Sequence, residues 1–453
     1  MIQAVESYRG APKSFRVHIG IFGRRNAGKS SLLNALVGQE VAIVSDRPGT
    51  TTDPVEKPME LKPLGPVLFI DTAGIDDEGA LGEKRVEKTR RVFDRTDLAL
   101  LLSPAGRWEI FEELLLQEFR DRQIPVIVVF SQADLGQPPP ELLARLEALG
   151  IPWLQTALPE GRGLDRLREL MGQSVDLTSA LGPPIVIDLV PEGATVLLVV
   201  PIDKEAPKGR LIQPQVQTLR ELLDGNRISV VVKEHQVADA LERLKEPPAL
   251  VITDSQAFAQ VAAQVPPEIP LTSFSILFAR QKGQLEEFVR GIARLRELQP
   301  GDRVLVAEAC THHPIEEDIG RVKIPRWLEE FVGGKLDWHV VAGLDFPEDL
   351  QNYRLVIHCA ACMFNRRAML SRIARCSRAG VPITNYGMTI AFLKGILPRA
   401  LAPFGPKILA LLQNTESNPP QTPTADRLHR PVPSSPTPVD PSLGKAKPSL
   451  CQS

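Results

Sequence analysis

Residues 15–36 read FRVHIGIFGRRNAGKSSLLNAL, and this stretch decides the fold of the first third of the chain. Its apolar start, Phe15 to Phe22, has the composition of a buried strand. The strand runs into a loop, Gly23 to Ser30, with the spacing G-x-x-x-x-G-K-S, and a helical pattern follows the loop directly. A strand, this loop and a helix in this order are the context that a phosphate-binding loop requires. We therefore predict a nucleotide site here.

The loop supplies most of the groups that a nucleoside triphosphate and Mg²⁺ need. Its glycines let backbone N–H groups approach the phosphates, and the helix N-terminus adds positive potential. Lys29 is expected to reach the β- and γ-phosphates, and Ser30 to bind Mg²⁺. The predicted nucleotide-binding residues are Gly23, Arg24, Arg25, Asn26, Ala27, Gly28, Lys29, Ser30, Ser31, Asp71, Gly74, Asp134 and Ala157.

Two later segments complete the predicted phosphate and metal site. Asp71-Thr72-Ala73-Gly74 ends a predicted strand, so we expect Asp71 to hold Mg²⁺ through water and the Gly74 N–H to sense the γ-phosphate. The run Gly49-Thr50-Thr51-Thr52-Asp53 has the position of a first switch loop, although a threonine run alone is more often a plain loop. Thr51 is its candidate Mg²⁺ ligand. The predicted catalytic residues are Lys29, Asn26, Thr51 and Gly74.

The base-recognition segment departs from the usual Asn-Lys-x-Asp motif of GTP-binding proteins. Phe130 is followed by Ser131-Gln132-Ala133-Asp134. Asp134 can accept hydrogen bonds from guanine N1 and N2, and this favours GTP over ATP. The missing Asn and Lys predict weaker bracing of the loop and weaker stacking on the base. The backbone of Ala157 is the candidate for the last contact to the base.

Strands alternate with helical patterns along the whole chain up to a Pro- and Ser-rich end. This order predicts an α/β fold, with an N-terminal P-loop GTPase domain followed by two further α/β domains with parallel sheets. One strand of the middle domain is predicted over residues 273–277. The predicted boundaries are 1–174, 175–299 and 300–411, and the Pro- and Ser-rich tail, 412–453, is expected to be disordered because it cannot bury a core.

Three of the five cysteines lie in two short clusters in the last third of the chain. The clusters read Cys310-Thr311-His312-His313 and His358-Cys359-Ala360-Ala361-Cys362. Each follows a predicted strand, at the sheet edge where open α/β folds bind ligands. Thiolates bind zinc or iron–sulfur clusters, and a chance pair of buried cysteines is the third interpretation. With three cysteines on a 4Fe-4S cluster, His312, His313 and His358 compete for the fourth position.

The first 160 or so residues resemble GTPases of the Era and TrmE type, on the motifs quoted above. Proteins of that type carry an Asn in the phosphate-binding loop that helps to bind K⁺, and Asn26 matches it. Ile75 stands where Ras-like proteins have a catalytic Gln. The resemblance therefore implies a slow GTP hydrolase in which K⁺ supplies charge that no side chain provides.

The pattern C-x-H…H-C-x-x-C behind such a domain, with the stretch Pro201 to Gln215, resembles the HydF family of FeFe-hydrogenase maturation GTPases over residues 10–405. The resemblance implies that residues 175–299 form a dimerisation domain and 300–411 an iron–sulfur cluster-binding domain. It also implies a 4Fe-4S cluster on Cys310, Cys359 and Cys362, with His312 or His358 as a fourth ligand. Such a homodimeric scaffold would receive a di-iron precursor from radical-SAM maturases and pass it to the apo-FeFe-hydrogenase.

The composition of the chain narrows the possible classes of function. A net charge of −2 gives no general basic footprint for nucleic acid, and no apolar run is long enough for a membrane span. The start of the chain lacks the apolar region of a secretory signal, so we expect a cytoplasmic protein. An Era-like ribosome-assembly GTPase with a structural zinc module is the alternative. A nucleotide-binding adaptor without turnover is a weaker third hypothesis.

Overall fold

Three β-sheets organise the part of the chain that the computed structural model describes, namely residues 11–38, 55–72, 91–104, 107–202, 209, 211–310 and 318–416. The first sheet has six strands, and the second and third have four each. Within these residues no helix is both long and apolar enough to cross a membrane.

The first sheet carries the phosphate-binding loop. Its strands are β1 (Val17–Gly23), β2 (Val55–Leu61), β3 (Gly65–Asp71), β4 (Leu98–Pro104), β5 (Val126–Ser131) and β6 (Trp153–Gln155), in the spatial order β2-β3-β1-β4-β5-β6. The described residues of this part form four helices: α1 (Lys29–Val37), α2 (Ile110–Asp121), α3 (Pro140–Ala148) and α4 (Leu164–Ser174). The sequence did not predict β2, an antiparallel edge strand that contains Pro58 and is mostly exposed or half-buried. Prolines and polar residues are tolerated at such an edge.

The second sheet is entirely parallel. Its strands are β7 (Thr195–Val199), β8 (Ile228–Val232), β9 (Leu250–Thr253) and β10 (Leu271–Ser273), in the order β10-β9-β7-β8. The helices of this part are α5 (Leu177–Leu181), α6 (Gln213–Asp224), α7 (Val237–Arg243), α8 (Phe258–Gln264), α9 (Phe274–Lys282) and α10 (Leu285–Ile292).

The strand predicted over residues 273–277 is wrong, because α9 begins there. Ser273 caps this helix, and its hydroxyl accepts a hydrogen bond from the Ile276 N–H at 3.3 Å. The apolar run Phe274 to Phe278 is almost fully buried within the helix. A short apolar run cannot by its periodicity distinguish a buried strand from a buried helix.

The third sheet is also parallel. Its strands are β11 (Arg303–Ala307), β12 (Asp337–Val341), β13 (Leu355–His358) and β14 (Ile383–Asn385), in the order β12-β11-β13-β14. Its helices are α11 (Ile324–Val332), α12 (Arg366–Arg378), α13 (Tyr386–Leu393), α14 (Leu397–Leu401) and α15 (Pro406–Glu416), and a π-helical turn, Ile319–Lys323, precedes α11.

The last helix reaches Glu416, so residues 412–416 are helical and do not belong to a disordered tail. The rest of the predicted tail lies outside the described residues.

One apolar core joins the second and third sheets. It includes Val251 and Phe288 from the second part and Leu355 and Met388 from the third, all at most 2% exposed. The boundary predicted at residue 299 therefore separates two sheets that share one core, and the other face of the second sheet has a core of its own. The first sheet has separate apolar cores on its two faces. The predicted fold class, a P-loop domain followed by α/β units with parallel sheets, is confirmed.

Candidate functional site

Two residues of the phosphate-binding loop, Asn26 and Gly28, have left-handed backbone geometry. The loop joins β1 to α1, and Gly28 stands at the N-terminus of α1 with a φ of 87°. A side chain at this position would be strained, since only glycine adopts such a φ freely. Asn26 has a φ of 61°, which Asn tolerates better than most residues, and its side chain is exposed. The loop thus presents its backbone N–H groups at the start of a helix.

Lys29 lies inside this loop. Its ammonium group donates hydrogen bonds to the carbonyl oxygens of Gly23 at 2.8 Å and Arg24 at 2.6 Å. The residue is only 8% exposed. The positive charge is therefore placed where a P-loop lysine meets the phosphates.

The two predicted Mg²⁺ ligands in the described residues lie side by side. The hydroxyl of Ser30, at the start of α1, donates a hydrogen bond to Oδ2 of Asp71, at the end of β3, over 2.7 Å. Burial raises the pKa of the Asp71 carboxyl, while the bond from Ser30 and the charges of Lys29 and Lys57 oppose that change. A hydroxyl and a carboxylate are oxygen donors of the kind that Mg²⁺ prefers.

The side chain of Arg24 faces away from the loop. Its guanidinium group makes a two-pronged ion pair with the fully buried carboxylate of Glu112, at 2.6 and 2.9 Å, and a further pair with Glu109 at 3.0 Å. It also lies 5.2 Å from the centre of the Phe111 ring. Arg24 can therefore contact a phosphate only through its backbone, and its side chain fixes the loop to α2.

Ser131 braces the base-recognition segment against the phosphate-binding loop. Its hydroxyl, which is buried, donates a hydrogen bond to the carbonyl oxygen of Ala27 at 2.8 Å. The serine therefore supplies one bracing hydrogen bond in place of the motif's Asn, and the expected weakening of the bracing stays a prediction. Asp134 is exposed at the end of the segment. The N–H of Ala157 is bonded to the carbonyl of Arg162 at 3.3 Å.

Several predicted site residues cannot be placed. Thr51, Gly74, His312 and His313 lie outside the described residues, as does the whole predicted switch loop. Their roles remain predictions. Arg25 and Ser31 are exposed at the loop and at the start of α1.

The three cysteines of the two clusters meet at the carboxyl edge of the third sheet. Ala307 at the end of β11 pairs with His358 at the end of β13, so Cys310 and Cys359 both come after the same end of two neighbouring strands. None of the described cysteines forms a disulfide. Burial and the nearby Cys359 raise the pKa of the Cys310 thiol to about 12. Burial and Cys362 raise the pKa of Cys359 to about 12, and burial and Cys310 raise that of Cys362 to about 11.

Each thiol is therefore within electrostatic range of another of the three. The sulfur of Cys359 already accepts two backbone hydrogen bonds, from the N–H of Ala309 at 3.1 Å and that of Ala361 at 3.4 Å. Ala361 has a φ of 53°, an uncommon geometry that turns the backbone between Cys359 and Cys362. Such N–H groups stabilise a thiolate and tune a metal bound to it.

His358 is occupied by other partners. Its Nε2 accepts a hydrogen bond from Arg372 at 2.8 Å, and its Nδ1 lies 2.8 Å from the carbonyl oxygen of Cys359, to which it donates. Burial, followed by the charge of Arg372, lowers the pKa of this imidazole to about 3. Neither nitrogen is left for a metal, so the structure argues against His358 as a fourth cluster ligand. In the described ranges, which omit residues 311–317 beside Cys310, no three His, Cys, Asp or Glu side chains form a site for one metal ion.

Comparisons with known protein families match all three parts of the chain. Residues 18–132 match the model of a 50S ribosome-binding GTPase. Residues 185–283 match the hydrogen maturase F dimerization domain, and residues 286–403 match the hydrogen maturase F tetramerization domain. The first part is thus a GTPase domain, followed by two oligomerization domains. The chain belongs to the hydrogen maturase F (HydF) family.

Individual relatives match the GTPase part. The tRNA modification GTPase MnmE of a Synechococcus species is 39% identical over 166 residues, which are 35% of this chain and 34% of that protein. GTPase Der of Wolinella succinogenes is 34% identical over 180 residues, 37% of each chain. This chain therefore spans about a third of the length of these curated relatives. The Era structure from Aquifex aeolicus has 20% identity and a TM-score of 0.31, covering 55% of this chain and 97% of its own.

Proposed function

We propose that this protein is a GTP-hydrolysing scaffold of FeFe-hydrogenase maturation. It holds a 4Fe-4S cluster on Cys310, Cys359 and Cys362, receives a di-iron precursor and passes it to the apo-hydrogenase. One observation carries the proposal: three half-buried thiols from two separate segments lie near one sheet edge in a hydrogen maturase F domain that follows a GTPase domain.

The GTPase half of the proposal is supported by the positions of Lys29, Ser30 and Asp71. Lys29 and the backbone N–H groups of the loop bind the β- and γ-phosphates, and Asp134 binds the guanine edge. Ser30 and Asp71 together hold Mg²⁺, which neutralises charge on the phosphates when it is bound. The bond between Ser30 and Asp71 already brings the two oxygens to one place.

The cluster half is supported by the chemistry of the donors. Sulfur ligands suit iron–sulfur clusters, and the raised pKa values mean that the thiols keep their protons at neutral pH until a metal displaces them. Arg372 interacts with Cys359, and Lys282, whose pKa burial lowers to about 7, interacts with Cys362. Their charge offsets the negative charge of the thiolates. When bound, a cluster held by three cysteines supplies one iron with an exchangeable position. His312 and His313, which both lie outside the described residues, remain the candidates for it.

Self-association is supported by the second sheet as well as by the family. Strand β8 lies at the edge of that sheet and exposes Ile228 by 57% and Val231 by 45%. Leu223 at the end of α6 is 54% exposed. Exposed apolar groups along an edge strand favour pairing with a second copy. We propose a homodimer in the cytoplasm that meets radical-SAM maturases and the apo-hydrogenase.

Anaerobic reconstitution with iron and sulfide tests the cluster. The wild-type protein is expected to turn brown, absorb broadly near 400 nm and give a 4Fe-4S EPR signal after reduction. Cys359→Ala should lose most of its iron. Cys376→Ala is the matched control, because Cys376 is fully buried in α12 and is not one of the proposed ligands. A colourless protein that binds zinc at the same cysteines would contradict the proposal and favour the ribosome-assembly alternative.

The separation of the two activities gives a second test. Lys29→Ala should abolish phosphate release from GTP and leave the iron content unchanged. Cys359→Ala should lower the iron content and leave GTP turnover unchanged. If each substitution removed both properties, the two sites would not be separate as proposed.

A further inference from the structure

The hydroxyl of Tyr386 is a buried polar group without a hydrogen-bond partner among the described residues. Tyr386 is the first residue of α13 and follows β14 directly. Buried tyrosine hydroxyls usually find a partner, because an unpaired one loses its bonds to water and gains nothing in return. The groups around this hydroxyl therefore bear on which acceptor it could bind.

The strand register places Tyr386 beside Cys359 at the edge of the third sheet. Ala307 of β11 lies opposite His358 of β13, and His358 lies opposite Asn385 of β14. The residues that follow these three therefore leave the sheet at one edge, on three adjacent strands: Glu308, Cys359 and Tyr386. Burial raises the pKa of the Tyr386 hydroxyl well above its usual value. The negative forms of Cys359, Glu308, Asp318 and Cys310 add to this effect, in decreasing order.

The two carboxylates near this hydroxyl already have donors of their own. Glu308 forms an ion pair with Arg321 at 2.8 Å, and Oδ1 of Asp318 accepts the N–H of Arg321 at 2.9 Å. The sulfur of Cys359 likewise accepts two backbone N–H groups, so none of these described neighbours serves as the acceptor of the hydroxyl. Thiolate and sulfide sulfurs accept hydrogen bonds far better than a protonated thiol does.

The backbone closes over the hydroxyl from the π-helical turn. A Cβ built on Gly320 would lie 2.0 Å from the Tyr386 oxygen, so only glycine fits there. This close approach fixes the phenol ring in place. The hydroxyl is thus held between a tight backbone turn and the residues that end β11 and β13.

We propose that Tyr386 is a positioning residue of the iron–sulfur site, whose hydroxyl donates a hydrogen bond to a sulfur of the bound cluster. The inference rests on the proposed cluster. A reduced cluster carries one more negative charge than the oxidised one, so this bond stabilises the reduced form more. Tyr386 therefore raises the reduction potential of the cluster.

The test compares Tyr386→Phe with Tyr353→Phe. Phe keeps the ring and removes only the hydroxyl. Tyr353 is the matched control, because it precedes β13 at the opposite edge of the sheet and its hydroxyl is bonded to His339. Both variants are reconstituted anaerobically, analysed for iron and sulfide, and titrated with reductant under EPR. We expect normal cluster content in both, a more negative midpoint potential and an altered EPR line shape in Tyr386→Phe alone.

Two outcomes would overturn the inference and leave the cluster proposal intact: Tyr386→Phe with an unchanged midpoint potential, or the same shift in Tyr353→Phe. A wild-type protein that takes up no iron would instead refute the proposed function itself.

A second measurement does not depend on the folding of Tyr386→Phe. The chain has three tyrosines, and fluorotyrosine can replace them biosynthetically in the Tyr353→Phe background. The more acidic fluorinated phenol donates a stronger hydrogen bond, so the midpoint potential should rise. No rise in fully labelled, cluster-loaded protein would overturn the inference.

Discussion

Asn365 donates a hydrogen bond to Asp97, and this bond joins the third sheet to the GTPase domain. The Nδ2 of Asn365 lies 3.1 Å from Oδ2 of Asp97 and 2.9 Å from the carbonyl oxygen of Arg95. The Oδ1 of Asn365 caps α12 by accepting a hydrogen bond from the N–H of Ala368 at 3.3 Å. The helix that starts after the turn with Cys362 is therefore attached to the segment just before β4.

Substitutions at Asn365 separate its cap from its bond to Asp97. Asn365→Asp keeps an N-cap residue but sets a carboxylate against the half-buried carboxylate of Asp97. It should lower the free energy of unfolding by about 1–3 kcal/mol, the cost of a lost partner for a buried polar group. Asn365→Ser keeps the cap and removes the same amide donor but adds no charge, so its loss should be smaller than that of Asn365→Asp. Urea unfolding at pH 8 measures both. Equal losses in the two variants would contradict the expected repulsion.

Asp97 makes stability depend on pH. It is half-buried, accepts the backbone N–H of His18 at 2.8 Å, and faces Asn365, Arg367 and Lys282. Burial, only partly offset by these partners, raises the pKa of this carboxyl from 3.8 to about 7. Between these two values the folded protein keeps a proton that the unfolded chain has lost. The contribution of Asp97 to stability therefore falls as the pH rises from about 4 to about 7.

Asp97→Asn removes this dependence. Relative to wild type, its free energy of unfolding should increase with pH by up to about 1.4 kcal/mol per pH unit over that range, and level off above it. His18 acts in the opposite direction, since burial lowers its pKa to about 3, but it is present in both proteins and cancels in the difference. Urea unfolding of both proteins from pH 4.5 to 8 measures the difference. A difference that is constant with pH would show that Asp97 titrates normally.

The hydrogen bond from Ser131 to Ala27 predicts how the altered base-recognition segment tolerates change. Ser131→Ala removes the bond, which is worth about 0.5–1.5 kcal/mol, so GDP should bind roughly two- to tenfold more weakly. Ser131→Asn restores the usual motif residue and a donor, so affinity should be equal to that of wild type or higher. Titration with a fluorescent GDP analogue measures both. Unchanged affinity in Ser131→Ala would mean that the brace does not affect nucleotide binding.

The match of Asn26 to a K⁺-binding Asn predicts that GTP hydrolysis depends on the alkali ion present. Wild-type protein should release phosphate faster in K⁺ than in Na⁺, and Asn26→Ala should lose this difference. Asn34→Ala is the control, because Asn34 lies further along α1 and is bonded to Lys57, away from the loop. It should keep the preference for K⁺. Equal rates of the wild-type protein in both salts would contradict the role of K⁺.

The sequence patterns identified the features whose geometry depends on residues adjacent in sequence. The phosphate-binding loop follows from adjacent glycines, and the central strands follow from their apolar composition. Errors arose where composition is ambiguous: α9 has the apolar run of a strand, and β2 has the polar residues of a loop. The bond from Ser131 to Ala27 could not be predicted, because the two residues lie on different loops that only the sheet brings together.

The sequence by itself determined that the chain begins with a nucleotide-binding α/β domain, and that its cysteine clusters follow strands, because these features are written in short, local spacings. Only the tertiary structure decided that His358 is engaged by Arg372, that the Tyr386 hydroxyl lies near the thiols, and that Asn365 reaches Asp97. These relationships depend on strand order and on packing between distant segments, and no local pattern of residues encodes either.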